Sequence, residues 1–171
     1  MKIRLFLMSL FVAFAAAGCG KNDSQPSSGS SAAQSGTAAA PAKSGPRVVE
    51  ITAGDNMKFS LQTIEAKPGE ELKLVLVNIG TQPKEVMGHN WVLLKSDANA
   101  GAFAAAAAAA KANDYVPPAL KDQIIAHTAL IGPRKSDEIT FKVPDAPGEY
   151  PYICSFPAHY QVGMKGTLVV K

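Results

Sequence analysis

The chain has 171 residues, of which 47% are hydrophobic and 18% charged, so it can form a packed core and is not a wholly disordered protein. Four of the 17 basic residues and one of the 14 acidic residues precede Arg47. The chain from Arg47 onward therefore carries 13 charged side chains of each sign. This balance argues against binding to nucleic acid.

The first 18 residues have the pattern of an export signal. Lys2 and Arg4 precede an apolar run, Leu5–Ala17, which at 13 residues is shorter than the ~20 needed to span a bilayer. Cys19 directly follows small residues in a context that resembles a bacterial lipobox. This resemblance implies that residues 1–18 are a lipoprotein signal peptide and that Cys19 becomes the lipidated first residue of the mature protein. An ordinary signal peptide followed by a chance cysteine is the alternative.

Residues 19–46 form the lipidated cysteine and a flexible tether in this interpretation. The segment is dominated by Ser, Ala, Gly and Pro and has no large apolar residue, so it cannot bury enough surface to fold. A flexible chain of this length has a root-mean-square span of about 30 Å. We therefore expect a protein of the bacterial cell envelope, lipid-anchored to a membrane and facing the periplasm or the exterior.

From residue 47 to residue 171, short apolar segments alternate with turn signals such as Gly132-Pro133. Glu71–Asn78, for example, places three leucines on one face of an extended chain. The predicted strands are Val48–Ile51, Met57–Leu61, Glu71–Asn78, His89–Leu94, Ile124–Leu130, Glu138–Val143, Tyr150–Cys154 and Thr167–Val170. About eight short strands in one domain indicate an all-β antiparallel sandwich.

One segment interrupts the strand pattern. Asp97–Ala112 contains seven consecutive alanines, Ala104–Ala110, and alanine has the highest helix propensity. We therefore predict a short helical insertion. Because it has few apolar anchors beyond Phe103, we expect it to pack loosely on the sandwich. A disordered alanine spacer is the alternative.

Three potential metal ligands lie close together near the C terminus. Cys154, His159 and Met164 follow one another at intervals of five residues on one predicted loop. A thiolate, an imidazole and a thioether suit copper, and blue-copper sites add a second histidine. His89, at the edge of another predicted strand, can supply it if the two loops meet at one end of the sandwich. Taken singly, each residue is more often core filler or a surface residue; their conjunction predicts a copper site.

The motifs around these residues resemble those of azurins and auracyanins. Met87–Leu93, Ile125–Thr128 and Met164–Leu168 are similar to azurin segments, and Tyr152–Tyr160 is more similar still to auracyanin. Both are cupredoxins, and the resemblance covers essentially residues 47–171. It implies a Greek-key cupredoxin β-sandwich with a helical flap, one type 1 (blue) copper ion as cofactor, and electron transport as the function.

The resemblance also assigns the ligands by position. His89 and His159 correspond to the imidazole ligands, Cys154 to the thiolate and Met164 to the axial thioether. Gly88 corresponds to the residue whose carbonyl lies on the opposite axial side.

Further residues are assigned around the site on the same basis. Asn90 corresponds to a residue that links the two ligand loops, and Phe156 to one that packs beside the metal and orients its ligands. Electrons would pass through His159 at an apolar docking patch. The docking patch would consist of Met87, Phe156, Pro157 and Ala158.

The sequence departs from its relatives at three points. The gap of four residues between His159 and Met164 is that of auracyanin and plastocyanin and is one longer than that of azurin. The azurin disulfide is absent, since Cys19 lies outside the domain. Ala158 stands where both relatives have glycine, which we expect to restrict the loop.

The implied function is that of an electron carrier and not of an enzyme. Copper oxidases and nitrite reductases need additional histidines, and His127 is the only one left beyond the two ligands. A zinc site fits poorly because methionine is not a usual zinc ligand. A Cys154–His159 nucleophile pair is not expected, because a thiolate bound to copper is not free to attack. An envelope protein that binds or delivers copper without carrying electrons is the alternative.

The expected partners follow from this function. Electron donors and acceptors would be redox proteins of the envelope, for example c-type cytochromes or an oxidase or reductase. The lipid anchor would contact a membrane, no nucleic acid is expected, and the protein would be a monomer.

Overall fold

The computed structural model describes residues 45–171. The predicted signal peptide (residues 1–18), the lipidation site Cys19 and the tether as far as residue 44 lie outside the described residues. Among the residues that are described, no helix is long and apolar enough to cross a membrane.

Residues 45–171 fold into two β-sheets that pack face to face. Their eight strands are β1 (Arg47–Ala53), β2 (Thr63–Ala66), β3 (Glu71–Asn78), β4 (Val92–Leu94), β5 (Ile124–His127), β6 (Ser136–Lys142), β7 (Gly148–Ile153) and β8 (Lys165–Val170). The first sheet has the order β1-β3-β6 and the second the order β2-β8-β7-β4-β5. The predicted sandwich of about eight strands is therefore confirmed.

The direction of two strand pairs differs from the prediction. β1 pairs with β3 in parallel, and so does β2 with β8, whereas the sequence pattern favoured an antiparallel sandwich. The remaining pairs are antiparallel. The chain crosses from the first sheet to the second at β2 and returns at β3, so β1 and β3 run in the same direction. Turn signals show where the chain reverses but not which sheet receives the next strand.

Alternating leucines and large aromatic residues fill the space between the sheets. Leu72, Leu74 and Leu76 on β3 are buried, as their alternation predicts. Trp91 and Tyr152 from the second sheet belong to the same buried cluster, and their ring centroids lie 5.4 Å apart. Each such side chain contributes about 1.5–3 kcal/mol through burial, so the loops at both ends are mounted on a rigid core.

The predicted strand over Met57–Leu61 is wrong. Met57 has a φ of 53°, a left-handed conformation that interrupts an extended chain. Phe59 forms only an isolated bridge with Ala53, and a strand that was not predicted, β2, begins at Thr63. Phe59 is nevertheless buried. The alternation of apolar residues here reflects a loop packed on the core and not a strand.

The insertion between β4 and β5 contains the predicted helix. A short helix, α1 (Lys84–Met87), precedes β4, and helix α2 within the insertion spans Ala100–Ala107, which is shorter than the predicted 97–112. Two 3₁₀ helices, Lys111–Asn113 and Pro118–Gln123, complete the insertion. Asn99 Oδ1 accepts a hydrogen bond from the Ala102 N–H at 2.9 Å and so caps α2.

The expectation that α2 packs loosely is wrong. Phe103 and Ala107 are fully buried and Ala104 nearly so. Phe103 packs in one cluster with Val92 of β4 and Ile153 of β7. Because alanine side chains are small, the helix backbone can approach the sheet closely and needs few large anchors. The insertion is therefore seated firmly beside the ends of β4 and β7.

Candidate metal centre

One end of the sandwich brings the predicted ligand segments together. β7 ends at Ile153, and the loop that follows it carries the C-terminal ligands. The Cys154 N–H donates to the Met164 carbonyl at 3.1 Å, and the Met164 N–H donates to the His159 carbonyl at 2.9 Å. These hydrogen bonds close the loop on itself, so the backbone fixes the positions of its side chains.

The thiol of Cys154 and two imidazoles face one another. Cys154 Sγ lies 3.4 Å from Nδ1 of His159 and 4.0 Å from Nδ1 of His89. All three donor atoms lie within 4.8 Å of one another, and all three residues are buried. A thiolate with two imidazoles is the donor set of a blue-copper site. The residues present therefore fit the ion that the sequence predicts.

Met164 and Gly88, the other two residues predicted to face the metal, lie at the same end of the sandwich. Met164 is fully buried and is joined to both loop ligands by the backbone hydrogen bonds described above. Gly88 is buried at the end of α1, where a Cβ atom would lie only 2.6 Å from the Lys84 carbonyl oxygen. Only glycine fits this close approach. The tight packing of Gly88 against α1 therefore fixes the backbone directly before His89.

Burial keeps all three donors neutral before a metal binds. It raises the pKa of the Cys154 thiol to about 12. Burial lowers the pKa of His89 to about 4, with the Gly54 carbonyl and Asp55 partly opposing the change. Burial, and then the neighbouring His89, also lowers the pKa of His159 to about 4. At neutral pH both imidazoles therefore have free lone pairs, and the thiol must release one proton to the solvent when its sulfur binds a metal.

Asn90 connects the two ligand loops. Its Oδ1 accepts a hydrogen bond from the Ser155 N–H at 2.9 Å, and its Nδ2 donates to Ser155 Oγ at 2.8 Å. Nδ2 also lies 3.3 Å from the carbonyl oxygen of Asp114. Because Asn90 follows His89 and Ser155 follows Cys154, these bonds fix the spacing between the two ligands.

Sequence reasoning missed several residues of this network. Ser155 and Thr128 are buried polar residues, and Thr128 Oγ1 accepts a hydrogen bond from the Trp91 N–H at 3.0 Å. Ser155 could have been found from the sequence, because it directly follows the predicted ligand Cys154. Asp114 had no such signal, because it lies 24 residues from Asn90 in the chain.

Of the predicted docking patch, Phe156 contacts the His159 ring. The Phe156 ring is buried, and its centroid lies 4.6 Å from that of the His159 ring. Met87 and Pro157 are partly exposed and Ala158 is exposed. Ala158 has a φ of 69°, the left-handed region in which glycine is preferred.

Two large apolar residues that the sequence analysis did not single out are exposed on the same segments. Val86 in α1 is 59% exposed and Val162 in the ligand loop is 46% exposed. His127, in contrast, lies on β5 with its Nδ1 directed to the Thr128 carbonyl, and it does not belong to the donor cluster.

Comparisons with known proteins agree on one family. A family model for copper binding proteins, the plastocyanin/azurin family, matches residues 47–171. Azurin of Pseudomonas chlororaphis is 39% identical over 126 residues, which cover 72% of this chain and 97% of that protein. Auracyanin-B of Chloroflexus aurantiacus is 36% identical over 129 residues, which cover 72% of this chain and 52% of that protein.

A solved structure gives the same result for the fold. Auracyanin A from Chloroflexus aurantiacus, described as a "blue" copper protein, superposes with a TM-score of 0.66 at 34% identity and covers 74% of this chain and 100% of its own. The sandwich described above is therefore a cupredoxin fold.

Proposed function

The chain belongs to the plastocyanin/azurin family of copper-binding proteins, and from this premise we propose that it is a membrane-tethered electron carrier of the bacterial cell envelope. The buried cluster of Cys154, His89 and His159, with donor atoms within 4.8 Å of one another, is the observation that carries the proposal. Azurin and auracyanin relatives indicate blue-copper electron transfer as the general function. The tether, the location and the partners are the finer parts of the proposal.

His89, Cys154 and His159 would hold the copper ion, and the Met164 thioether would be the fourth ligand. Bound copper supplies the exchange of a single electron between Cu(II) and Cu(I). The chain contributes a site that changes little between the two states, because internal hydrogen bonds hold the ligand loop and Asn90 holds it against the His89 segment. Burial excludes bulk water from the donors.

His159 is the proposed point of electron entry and exit. Its exposure is 2%, against 0% for His89 and Cys154, and the partly exposed Pro157 and the exposed Ala158 directly precede it. A small apolar surface on a domain of balanced charge suits brief contacts with redox proteins. We expect partners such as c-type cytochromes or an oxidase or reductase, and a monomeric carrier.

The direction of β1 supports a role for the tether. β1 begins at Arg47 and ends at Ala53, and the next residue, Gly54, brings its carbonyl to His89. Arg47 therefore lies at the end of the sandwich opposite to the donor cluster. A lipid on Cys19 would hold the domain by that far end and leave His159 accessible to partners.

The proposal is tested by loading the domain, residues 47–171, with Cu(II) and recording its visible absorption and electron paramagnetic resonance spectra. An intense thiolate-to-copper band with narrow hyperfine splitting supports the electron carrier. A pale tetragonal spectrum contradicts it and favours the alternative, a copper-binding or copper-delivery protein. Repeated reduction and reoxidation without loss of copper to a partner separates these two functions further.

The anchor is tested in the full chain with Cys19→Ala. We expect this variant to leave the membrane fraction while its visible spectrum stays unchanged. If the variant still sediments with membranes, the lipid anchor is wrong.

A further inference from the structure

We propose that Asp114 and Tyr115 are positioning residues for the copper ligands. These two residues belong to the insertion between β4 and β5 and are not ligands themselves. They contact each of the segments that carry a ligand, and they adopt an unusual backbone conformation where they do so. This inference rests on the proposed function, since it concerns the same copper site.

Tyr115 is connected to His159 through the ring of Phe156. Tyr115 is buried, and its ring meets the Phe156 ring edge-on, with centroids 5.0 Å apart and an interplanar angle of 64°. The Phe156 ring packs in turn against the His159 ring, with centroids 4.6 Å apart. Removing the Tyr115 ring would open space behind Phe156. The His159 ring would then lose the support that restricts its movement.

Asp114 is connected to the other two ligands. Its carbonyl oxygen accepts a hydrogen bond from Asn90 Nδ2, and Asn90 also binds the backbone next to Cys154. Its carboxylate lies 3.2 Å from Nζ of Lys84. Lys84 begins helix α1, which leads to the glycine that precedes His89. One residue of the insertion thus contacts both sides of the His89 segment.

The backbone of these two residues is strained. Asp114 has a φ of 50° and Tyr115 a φ of 62°, and an aromatic residue rarely adopts this left-handed region. Three backbone hydrogen bonds maintain it, with the N–H groups of Asp114, Tyr115 and Val116 donating to carbonyls at 3.2, 3.0 and 2.9 Å. Strain held in this way is common beside functional sites, and here it directs Tyr115 onto Phe156.

The firm seating of α2 explains how the insertion can act as a support. Phe103 is fully buried against β4 and β7, and Tyr115 N–H donates to Ala110, three residues beyond the end of α2. The segment at 114–115 therefore has a fixed base and can restrain the ligand loops.

The test compares Tyr115→Leu with two matched controls. Tyr115→Phe keeps the ring and its contact with Phe156. Tyr150→Leu truncates another buried tyrosine, whose hydroxyl donates to the Ala146 carbonyl far from the site. The readouts are the nuclear Overhauser contacts between the Phe156 and His159 rings in the copper-free protein, and the rate at which a Cu(I) chelator extracts copper from the reduced protein.

We expect Tyr115→Leu to lose the ring contacts and to release copper at least five times faster. Tyr115→Phe should match the native protein on both readouts, and Tyr150→Leu should melt at a lower temperature with native ring contacts and release rate. Native readouts in Tyr115→Leu would overturn the inference. The same changes in Tyr150→Leu would also overturn it, because they would reflect a general loss of stability.

A second variant decides the question if Tyr115→Leu does not fold. Asp114→Gly removes the carboxylate that pairs with Lys84 and relaxes the left-handed backbone, while it keeps the carbonyl. Faster copper release with an undiminished melting temperature supports the inference, and an unchanged rate contradicts it. The ring contacts are measured without copper, so they test positioning even if the native protein has no blue-copper spectrum and the proposed function fails.

Discussion

The two ends of the sandwich differ in where they hold polar groups. Every buried asparagine, histidine, serine and threonine among residues 45–171 lies at the copper end, namely Asn78, His89, Asn90, Thr128, Ser155 and His159. Apolar residues, Val86 and Val162 among them, are exposed at that same end. At the opposite end the interior is apolar, and three ion pairs lie on the surface together with the exposed Val48: Arg47–Glu70, Lys142–Asp145 and Lys171–Glu65.

This difference means that one end of the sandwich is suited to binding copper, while the other end contributes to the stability of the fold without the cost of buried polar groups. Buried polar groups cost free energy unless they are paired, and the copper end buries six of them, including the two imidazoles that burial keeps neutral. The copper end is therefore arranged for a ligand and a partner, at a cost in stability. The opposite end has no comparable cost, and its exposed ion pairs are each worth little. Changes at the two ends should accordingly have different effects.

The largest expected effect is on the copper spectrum. Cys154→Ser replaces the thiolate, which is the source of the intense visible band, and should abolish that band completely. The domain should still fold, because the Cys154 N–H bond to the Met164 carbonyl does not depend on the side chain. Visible absorption of the Cu(II)-loaded variant is the measurement, with thermal melting as the check on folding. An unchanged band would contradict the ligand assignment.

The second effect is a loss of stability of the copper-free protein in mild acid. The folded state holds the pKa of His89 and of His159 at about 4, against 6.5 for a free histidine. As the pH falls from 6.5 to 4, the unfolded state binds protons that the folded state does not. The free energy of unfolding should therefore decrease in this window, by roughly 1 kcal/mol per pH unit for each histidine.

Denaturant unfolding at several pH values between 6.5 and 4.5 measures this decrease. His159→Gln should reduce the slope by about half, since one of the two histidines is gone. A flat profile in the native copper-free protein would show that the copper end opens easily and does not hold its imidazoles neutral.

The third effect concerns the link between the ligand loops. Asn90→Ala removes the hydrogen bonds to Ser155 and leaves a buried N–H unpaired, which should lower the free energy of unfolding by about 2–3 kcal/mol. Copper should also be extracted faster, because the spacing of His89 and Cys154 is no longer fixed. Asn99→Ala is the control: it removes the cap of α2 at a cost of about 1 kcal/mol and should leave copper extraction unchanged. Equal extraction rates in the two variants would contradict the role of Asn90.

The same contrast explains how much the sequence could predict. The strand count, the core leucines of β3 and the four ligand residues followed from periodicity, residue chemistry and resemblance. The network that supports the ligands did not, because Asp114 and Tyr115 depend on a left-handed backbone and on contacts distant in the chain. The alternation of apolar and polar residues led to a wrong strand prediction at Met57–Leu61, because a loop packed on the core shows the same alternation as a strand. The parallel pairs depend on which sheet the chain enters, and local sequence does not encode that choice.

The smallest effect is expected at the opposite end. Glu70 accepts a hydrogen bond from Arg47 Nε at 2.5 Å and from the Lys67 N–H at 2.9 Å, and the Arg47 guanidinium lowers the pKa of this carboxyl. Its contribution is present above the ordinary pKa of a glutamate and is lost as the pH falls through the lower folded value. Arg47 is about half exposed, so water and salt screen the pair. Glu70→Gln should therefore lower the free energy of unfolding at pH 7 by less than ~1 kcal/mol, and by less still at high salt.

The copper spectrum and the rate of copper extraction in Glu70→Gln should equal those of the native protein, because no ion pair of this end touches the ligand loops. Denaturant unfolding at low and high salt measures the first effect and visible absorption the second. A changed spectrum in this variant would mean that the two ends are coupled through the sandwich. Strand β3 runs from Glu71, next to Glu70, to Asn78 near the site. Its core leucines would then be the first residues to test for that coupling.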